Sequence, residues 1–471
     1  MVWYWYMYGF GCPCQPMKFG FILYAIKMSQ ERGALQIFKA TVLEILKSPK
    51  ELFLVYSVNL LLTFNYNTLT FMIPLYYTQE QKVSDTQAGL VFGSLGVLIG
   101  VLAIALGPVI NILSCKKGIL MSSISGAVGF GLLGHTRAFG VSLVAVVLFH
   151  SVSISMAWSV IELGVKMFTP PEARNTSNSF LLVVNYLSGI LAGFFIDYVW
   201  SNYENKEHIY RNIYYTSCAS ACLAMILALF LNESQAFEST KPESYGLNRK
   251  VFVKKRFWRF AGLILLLTLL RSGCFGHLDA TFPKFMVRVF GDDAHFGYLI
   301  AVHSTSMMLG TLGFTPLSYI TSSYNLILVG GFLGALAPTV LAFEPTYATC
   351  VVFVVLISFG ESIWVPRLLD YTFEVAPQGE EGTYLALNNS PNYFGMILTG
   401  LFSGNLLESF CPPEGEKQCY LIWIVIGIAT FTISIVICLL KPFIIQPKHE
   451  EEEFLPCFKD SQPIIDGKPC N

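Results

Sequence analysis

Charge is scarce in this chain: Asp, Glu, Lys and Arg make up 13% of its 471 residues, while 54% are hydrophobic and 14% aromatic. That charged fraction is about half of what an ordinary soluble domain carries. Water is therefore not the chain's main solvent. Motifs for chemistry are missing too. There is no Gly-x-x-x-x-Gly-Lys-Ser/Thr phosphate cradle, no Gly-x-Ser-x-Gly elbow, no metal-binding helix motif and no zinc spacing among the 12 cysteines and 7 histidines. These absences speak against a primary pump and an enzyme, and no metal, cofactor or nucleic-acid partner is expected. Nor is there a soluble domain longer than the N-terminal segment of roughly 50 residues.

What is abundant is the long apolar run. Twelve stretches come near the roughly 20 residues that cross a hydrocarbon core. They are read as spans over 53–77, 88–111, 118–134, 140–165, 178–200, 211–231, 258–281, 296–319, 323–343, 348–369, 382–407 and 419–440. The spans form two sets of six with internal similarity. Pro74-Leu75-Tyr76 followed by Ala88-Gly89 recurs as Pro283-Lys284-Phe285 followed by Phe296-Gly297, and Gly107-Pro108 is echoed by Thr315-Pro316. Trp158 pairs with Trp364, Pro171 with Pro377, Gly189 with Gly395 and Gly193 with Gly400, all at offsets of 206 to 209 residues. Such a repeat is the pattern of a secondary transporter. The expected fold is an all-α membrane protein with 12 transmembrane helices in two pseudo-symmetric six-helix bundles. An extension (1–50), a first bundle (51–232), a cytoplasmic linker (233–257), a second bundle (258–442) and an acidic tail (443–471) complete the division.

Alternate loops differ in Lys and Arg, 22 on the side of the termini against 7 on the other. The positive-inside rule then places both termini in the cytoplasm, or in the matrix of an organelle. On that topology the Asn-x-Ser sequons at Asn175, Asn232 and Asn388 carry no glycan. Cys411 and Cys419 alone share a short loop on the opposite face, where an oxidising compartment allows a disulfide. The other cysteines read as small packing residues. Met1 to Lys27, rich in Trp, Tyr and Phe, lacks the parts of a secretory signal. It is either an interfacial segment or precedes a true start at Met28. Membrane lipids are expected partners of the basic linker, and Glu450 to Glu453 read as a solvated tail.

Two six-span halves, inside termini and a basic central loop make residues 50 to 442 resemble the major facilitator superfamily. The segment Gly107-Pro108-Val109-Ile110-Asn111-Ile112-Leu113-Ser114-Cys115-Lys116-Lys117 is similar to that family's Gly-x-x-x-Asp-Arg-x-Gly motif with its basic residues. The resemblance implies a cytoplasmic latch built on Gly107, Asn111, Lys116 and Lys117, weakened because Asn111 replaces the acid. Arg256-Phe257-Trp258-Arg259-Phe260, His277 to Lys284, Pro366 to Tyr371 and Glu381-Gly382-Thr383-Tyr384 further resemble the proton-dependent oligopeptide transporter branch. The acidic span 1 pattern of that branch is absent, since Asn59 to Tyr66 has no charge.

An ionisable side chain at the bilayer centre costs roughly 3 kcal/mol or more, so intramembrane charges belong beside a cavity or a partner. The resemblance implies that spans 1, 4, 7 and 10 line the central cavity. Substrate-cavity candidates are Asn65, Tyr66 and Asn67 on span 1, His150 on span 4, and Asn388, Asn389 and Asn392 around Pro391, expected to break span 11 and free its carbonyls. Arg271 and Glu361 form the sharpest pair, at roughly 20 and 12 Å above the inner boundary for a rise of about 1.5 Å per residue. Either Glu361 is a protonatable carboxylate whose pairing with Arg271 alternates with occupancy, or the two are a static ion pair. His277 and Asp279 suggest an outer gate or proton access point, or else simple interfacial hydration. Glu162 and Lys166, four apart on span 4, suggest a helical ion pair. Gly189 and Gly193 suggest a packing contact. The functional expectation is a secondary transporter of a small polar solute, peptide or amino acid first, coupled to protons. The rival is a transporter-derived structural subunit of a larger membrane complex, held through its N- and C-terminal extensions.

Overall fold

In a computed structural model of the chain, the described residues are 48–445 except 171–172, 204–205, 237–252, 292–293, 320, 344, 378–383 and 385–386. The aromatic N-terminal segment, most of the linker and the acidic tail lie outside them. Twelve long helical rods account for most of the rest: α1 Lys50–Gln79, α2 Asp85–Ile112, α3 Cys115–His135, α4 Phe139–Phe168, α5 Arg174–Asn202 and α6 Lys206–Leu229 in one half. The other half holds α7 Lys255–Ala280, α8 Phe296–Phe314, α9 Ser323–Leu341, α10 Tyr347–Val375, α11 Ser390–Phe410 and α12 Tyr420–Leu439. Among the described residues nine of these are long and apolar enough to cross a membrane; α1, α8 and α11 fall below the apolarity required. A short helix, Phe282–Phe290, prolongs α7.

The repeat seen in sequence extends to the helix starts. Ser114 caps α3 by accepting from the Lys117 N–H, and Ser322 caps α9 by accepting from the Asn325 N–H. These two serines stand at the repeat offset, and each satisfies a backbone donor that the first helical turn leaves open. The helical span around Pro391 is interrupted: Leu387 and Asn388 are helical, Asn389 is a turn, and Pro391 then lies in the first turn of α11, where a proline's missing N–H costs nothing.

The two halves meet along two seams, α2 against α11 and α5 against α8. Glycine makes both possible. Gly89 faces Gly400, and a Cβ on either would collide with the other's carbonyl. Gly193 faces Gly297 in the same manner. The repeat maps Gly89 onto Gly297 and Gly400 onto Gly193, so the two contacts are one contact used twice about the pseudo-twofold axis. Gly93, Gly96 and Gly404 continue the first seam against Ile397, Met396 and Thr86. In lipid, where apolar surface gains little by leaving one neighbour for another, such close backbone approach supplies the dispersion that holds helices together.

Gly89→Val is expected to lower stability by about 3 kcal/mol through overpacking. Gly262→Ala, where a methyl meets no atom within 4 Å, should leave it unchanged or raise it by about 0.5–1 kcal/mol. Thermal unfolding of the purified protein checks both, and equal melting of the two variants would contradict the seam.

Candidate functional site

The π turn Arg271–Phe275 interrupts α7 near its middle, with the Gly276 N–H donating to the Arg271 carbonyl at 2.8 Å. A π turn displaces carbonyls from the usual ladder; here the Thr399 hydroxyl reaches the Ser272 carbonyl at 3.4 Å. The bulge projects Arg271 toward α10, where its guanidinium pairs directly with the Glu361 carboxylate. Their side chains are 17% and 11% exposed, so the pair is enclosed but not sealed.

Asp279, two turns along α7, lies within electrostatic reach of both Arg271 and Glu361. Along the chain it stands between Arg271 and Lys284, the latter five residues further on. Tyr66 of α1 brings the opposite half to the cluster, in reach of Asp279, Arg271 and Glu361. Its ring packs edge-on against Trp158 of α4 at 5.4 Å, and Trp158 meets Tyr393 of α11 at 5.7 Å. His303 of α8 and Tyr186 of α5 complete the surround, each in electrostatic reach of Glu361. The site thus carries three ionisable side chains on one half and an aromatic wall supplied mostly by the other.

Several sequence candidates sit elsewhere. His150 is buried inside the first half, its ring 4.2 Å from that of Phe130 and against Gly129, with Nε2 unpartnered. It does not face the central cluster; the π stretch Ala145–His150 turns it toward α3. Asn65 is buried with neither amide atom bonded, while Asn67 lies beside Gly189 and Ser304 at the α5–α8 seam. Asn388 accepts from Thr372 of α10 at 2.8 Å, Asn389 is exposed at the start of α11, and the Asn392 N–H donates to the Asn389 carbonyl. His277 is packed, not hydrated: its Nδ1 meets Thr281 at 2.6 Å, and Thr281 donates to Ser403 at 2.8 Å.

Glu162 and Lys166 form no ion pair. Glu162 stays exposed and close enough to Tyr393 to act on it electrostatically. Lys116, expected in a latch between halves, caps α6 within its own half through the carbonyls of Leu229 at 2.6 Å and Leu231 at 3.2 Å. Its backbone N–H donates to Glu233 at 2.8 Å. Lys117 is exposed, and the side chains of Gly107 and Asn111 lie outside the described ones.

Among the described residues, the ion pairs that cross between halves gather at the end away from Lys50. Asp85 opens α2, and its buried carboxylate takes Lys284 at 2.8 Å and Arg288 at 2.7 Å from the other half. Thr86 donates through its N–H and its hydroxyl to Glu408, both at 2.9 Å. Asp197 pairs with His295 at 3.1 Å. Arg288 also donates to the Cys411 carbonyl at 2.6 Å, beside the disulfide that joins Cys411 to Cys419. Sequence reasoning missed this latch. The signal for it in the sequence is Lys284 inside the repeated Pro283-Lys284-Phe285.

The sequence model of the Major Facilitator Superfamily matches residues 55–400. The chain belongs to the major facilitator superfamily. Solved structures similar to this superfamily member include the nucleoside transporter NupG, at 14% identity and TM-score 0.68, covering 83% of this chain and 99% of that one. A POT family transporter in complex with 5-aminolevulinic acid follows at 13% identity and TM-score 0.68, over 84% and 97%. A bacterial homologue of the human drug peptide transporters PepT1 and PepT2 stands at 14% and 0.63, over 84% and 98%. No curated protein sequence matches. At such identities the structures establish the fold alone: this is an integral, multi-pass membrane protein with the transporter fold.

Replacing Asp85 with Asn strands two buried cations, so D85N should lose about 3–5 kcal/mol. Adding Lys284→Met should recover part of that loss. A double mutant no more stable than D85N, by chemical or thermal unfolding, would show that the two residues are not coupled.

Proposed function

We propose that this superfamily member is a secondary-active transporter that moves a small polar organic solute by rocking its halves about the central cluster, with proton symport as the energy source. Peptide or amino acid is the favoured cargo. The observation that carries the reading is the enclosed Arg271–Glu361 pair with Asp279 beside it: one cation faces two carboxylates in a low-dielectric interior, where each uncompensated charge is costly. A proton or a positively charged group on the cargo balances that site. The latch around Asp85 supports a state closed at one end. On the topology expected from the Lys and Arg bias, that end is the outer one. Glu162, exposed and unpaired on α4, supports access from the other end.

Glu361 serves as the protonatable group, Arg271 as its alternating partner, and Tyr66, Trp158 and Tyr393 as the wall against which cargo packs. Asn67, at the seam, is placed to contact cargo as the seam shifts. Cofactors have no part in this scheme. Structural neighbours include nucleoside and peptide transporters, so both cargo types belong in the test.

Purified protein in proteoliposomes, offered labelled dialanine and uridine, is expected to accumulate one of them when an inward proton gradient is imposed. Glu361→Gln should abolish gradient-driven accumulation while leaving exchange of the same solute measurable. Unchanged coupling in that variant would sink the assignment of Glu361, and no movement of either solute by correctly inserted wild-type protein would favour the structural-subunit reading.

A further inference from the structure

His303 was not among the candidates because α8 is not one of the helices expected to line the cavity. Its surroundings nonetheless define its chemistry. Ser358 of α10 donates its hydroxyl hydrogen back to the Val354 carbonyl at 2.5 Å, a common arrangement for a helical serine. With that hydrogen spent, Ser358 meets His303 Nδ1, 2.8 Å away, as an acceptor. Nδ1 must then carry the ring's hydrogen, and Nε2 holds a free lone pair.

Glu361 follows Ser358 by three residues on α10, and both Glu361 and Arg271 act electrostatically on His303. From α5, Tyr186 bonds Thr311 of α8 at 3.2 Å and lies in reach of Glu361. Asp197 of α5 is already taken by His295 near the other end of α8. The charged groups that face His303 are thus Glu361 and Arg271, with Tyr186 as the further titratable neighbour.

We infer that His303 is a second proton-binding residue, beside Glu361, and that its charge governs the Arg271–Glu361 pair. A proton taken from water at Nε2 turns the imidazole into an imidazolium, with Nδ1–H still held by Ser358. The imidazolium competes with Arg271 for the Glu361 carboxylate, and the guanidinium becomes available to an anionic group on the cargo. Loss of the proton returns Arg271 to Glu361. The inference rests on the central pair being the coupling site, and it assigns His303 a positioning role: it acts on Arg271 through Glu361.

Nitrogen NMR of histidine-labelled protein in lipid nanodiscs tests this without any cargo. The signal lost in His303→Gln, or in His303→Asn should the first variant not fold, is expected to show Nδ1–H and bare Nε2 at the upper end of a titration from about pH 8 to pH 5. It should titrate within that range, lose its single tautomer in Ser358→Ala, and shift its midpoint in opposite senses in E361Q and R271Q. A hydrogen on Nε2, no titration, or a midpoint indifferent to both charges overturns the inference. As a second readout, dialanine uptake should rise with acidity in the wild type and rise less steeply in H303Q while exchange persists; an unaltered pH profile also overturns it. Should the wild type move no dialanine, the transport reading fails by itself and the NMR result still decides His303.

Discussion

Two backbone contacts, Gly89 on Gly400 and Gly193 on Gly297, are the constraint on which this arrangement depends. With no side chain between them, the seams bring α2 to α11 and α5 to α8 closer than any other residue type would permit. A lipid-embedded protein cannot rely on expelling water to hold two bundles together, so near contact of main chains does that work. Near contact also has a mechanical result. At these two points no side chains interlock, so the main chains can pivot there, whereas interdigitated surfaces are held in a single register.

Ion pairs then decide where the pivot rests. Asp85 with Lys284 and Arg288, Thr86 with Glu408, and Asp197 with His295 all cross between halves at one end. Each is directional, and the Asp85 group is buried, so opening that end requires its charges to be rehydrated. Arg288 ties this latch to the carbonyl of Cys411, and Lys417, inside the disulfide loop, donates to the Arg288 carbonyl at 3.0 Å. The loop between α11 and α12 is thereby part of the closure and not a passive connection.

Much of the fold was legible because a bilayer imposes a length on every crossing segment and a gene-scale repeat imposes a register. The repeat located the glycines of both seams, while the capping serines 114 and 322 emerged as repeat partners only from the helix starts. Arg271 and Glu361 stood out because charge in an apolar run is costly and therefore informative. The rest escaped for physical reasons. Asp85, Lys284 and Arg288 lie at span ends, where a charge in the sequence is indistinguishable from a hydrated one. His150 was on an expected helix, but a π stretch turns it into its own half, and no pattern in the sequence marks that change of phase. The spacing of Glu162 and Lys166 permits a helical pair, but such a pair gains only about 0.3–0.5 kcal/mol, too little for spacing alone to bring the two together.

The repeat makes the backbone symmetric, but the charges are not. At the repeat offset, Arg271 corresponds to Leu62, Asp279 to Thr70, His303 to Leu95 and Glu361 to Ser155. The first half therefore brings no partner of its own to the central charges; it brings Tyr66 and Trp158. Both members of the Arg271–Glu361 pair belong to the second half, so a rigid rotation of one half against the other leaves the pair intact. Only an event inside the second half, a proton arriving or a charged group on the cargo displacing one partner, can separate them. On the proposed transport scheme, the cross-half latch would respond to rocking and the central pair to occupancy. Coupling the two requires a path along α7, and α7 supplies one: it carries Arg271 and Asp279, then continues through Thr281 into the short helix that places Lys284 and Arg288 on Asp85.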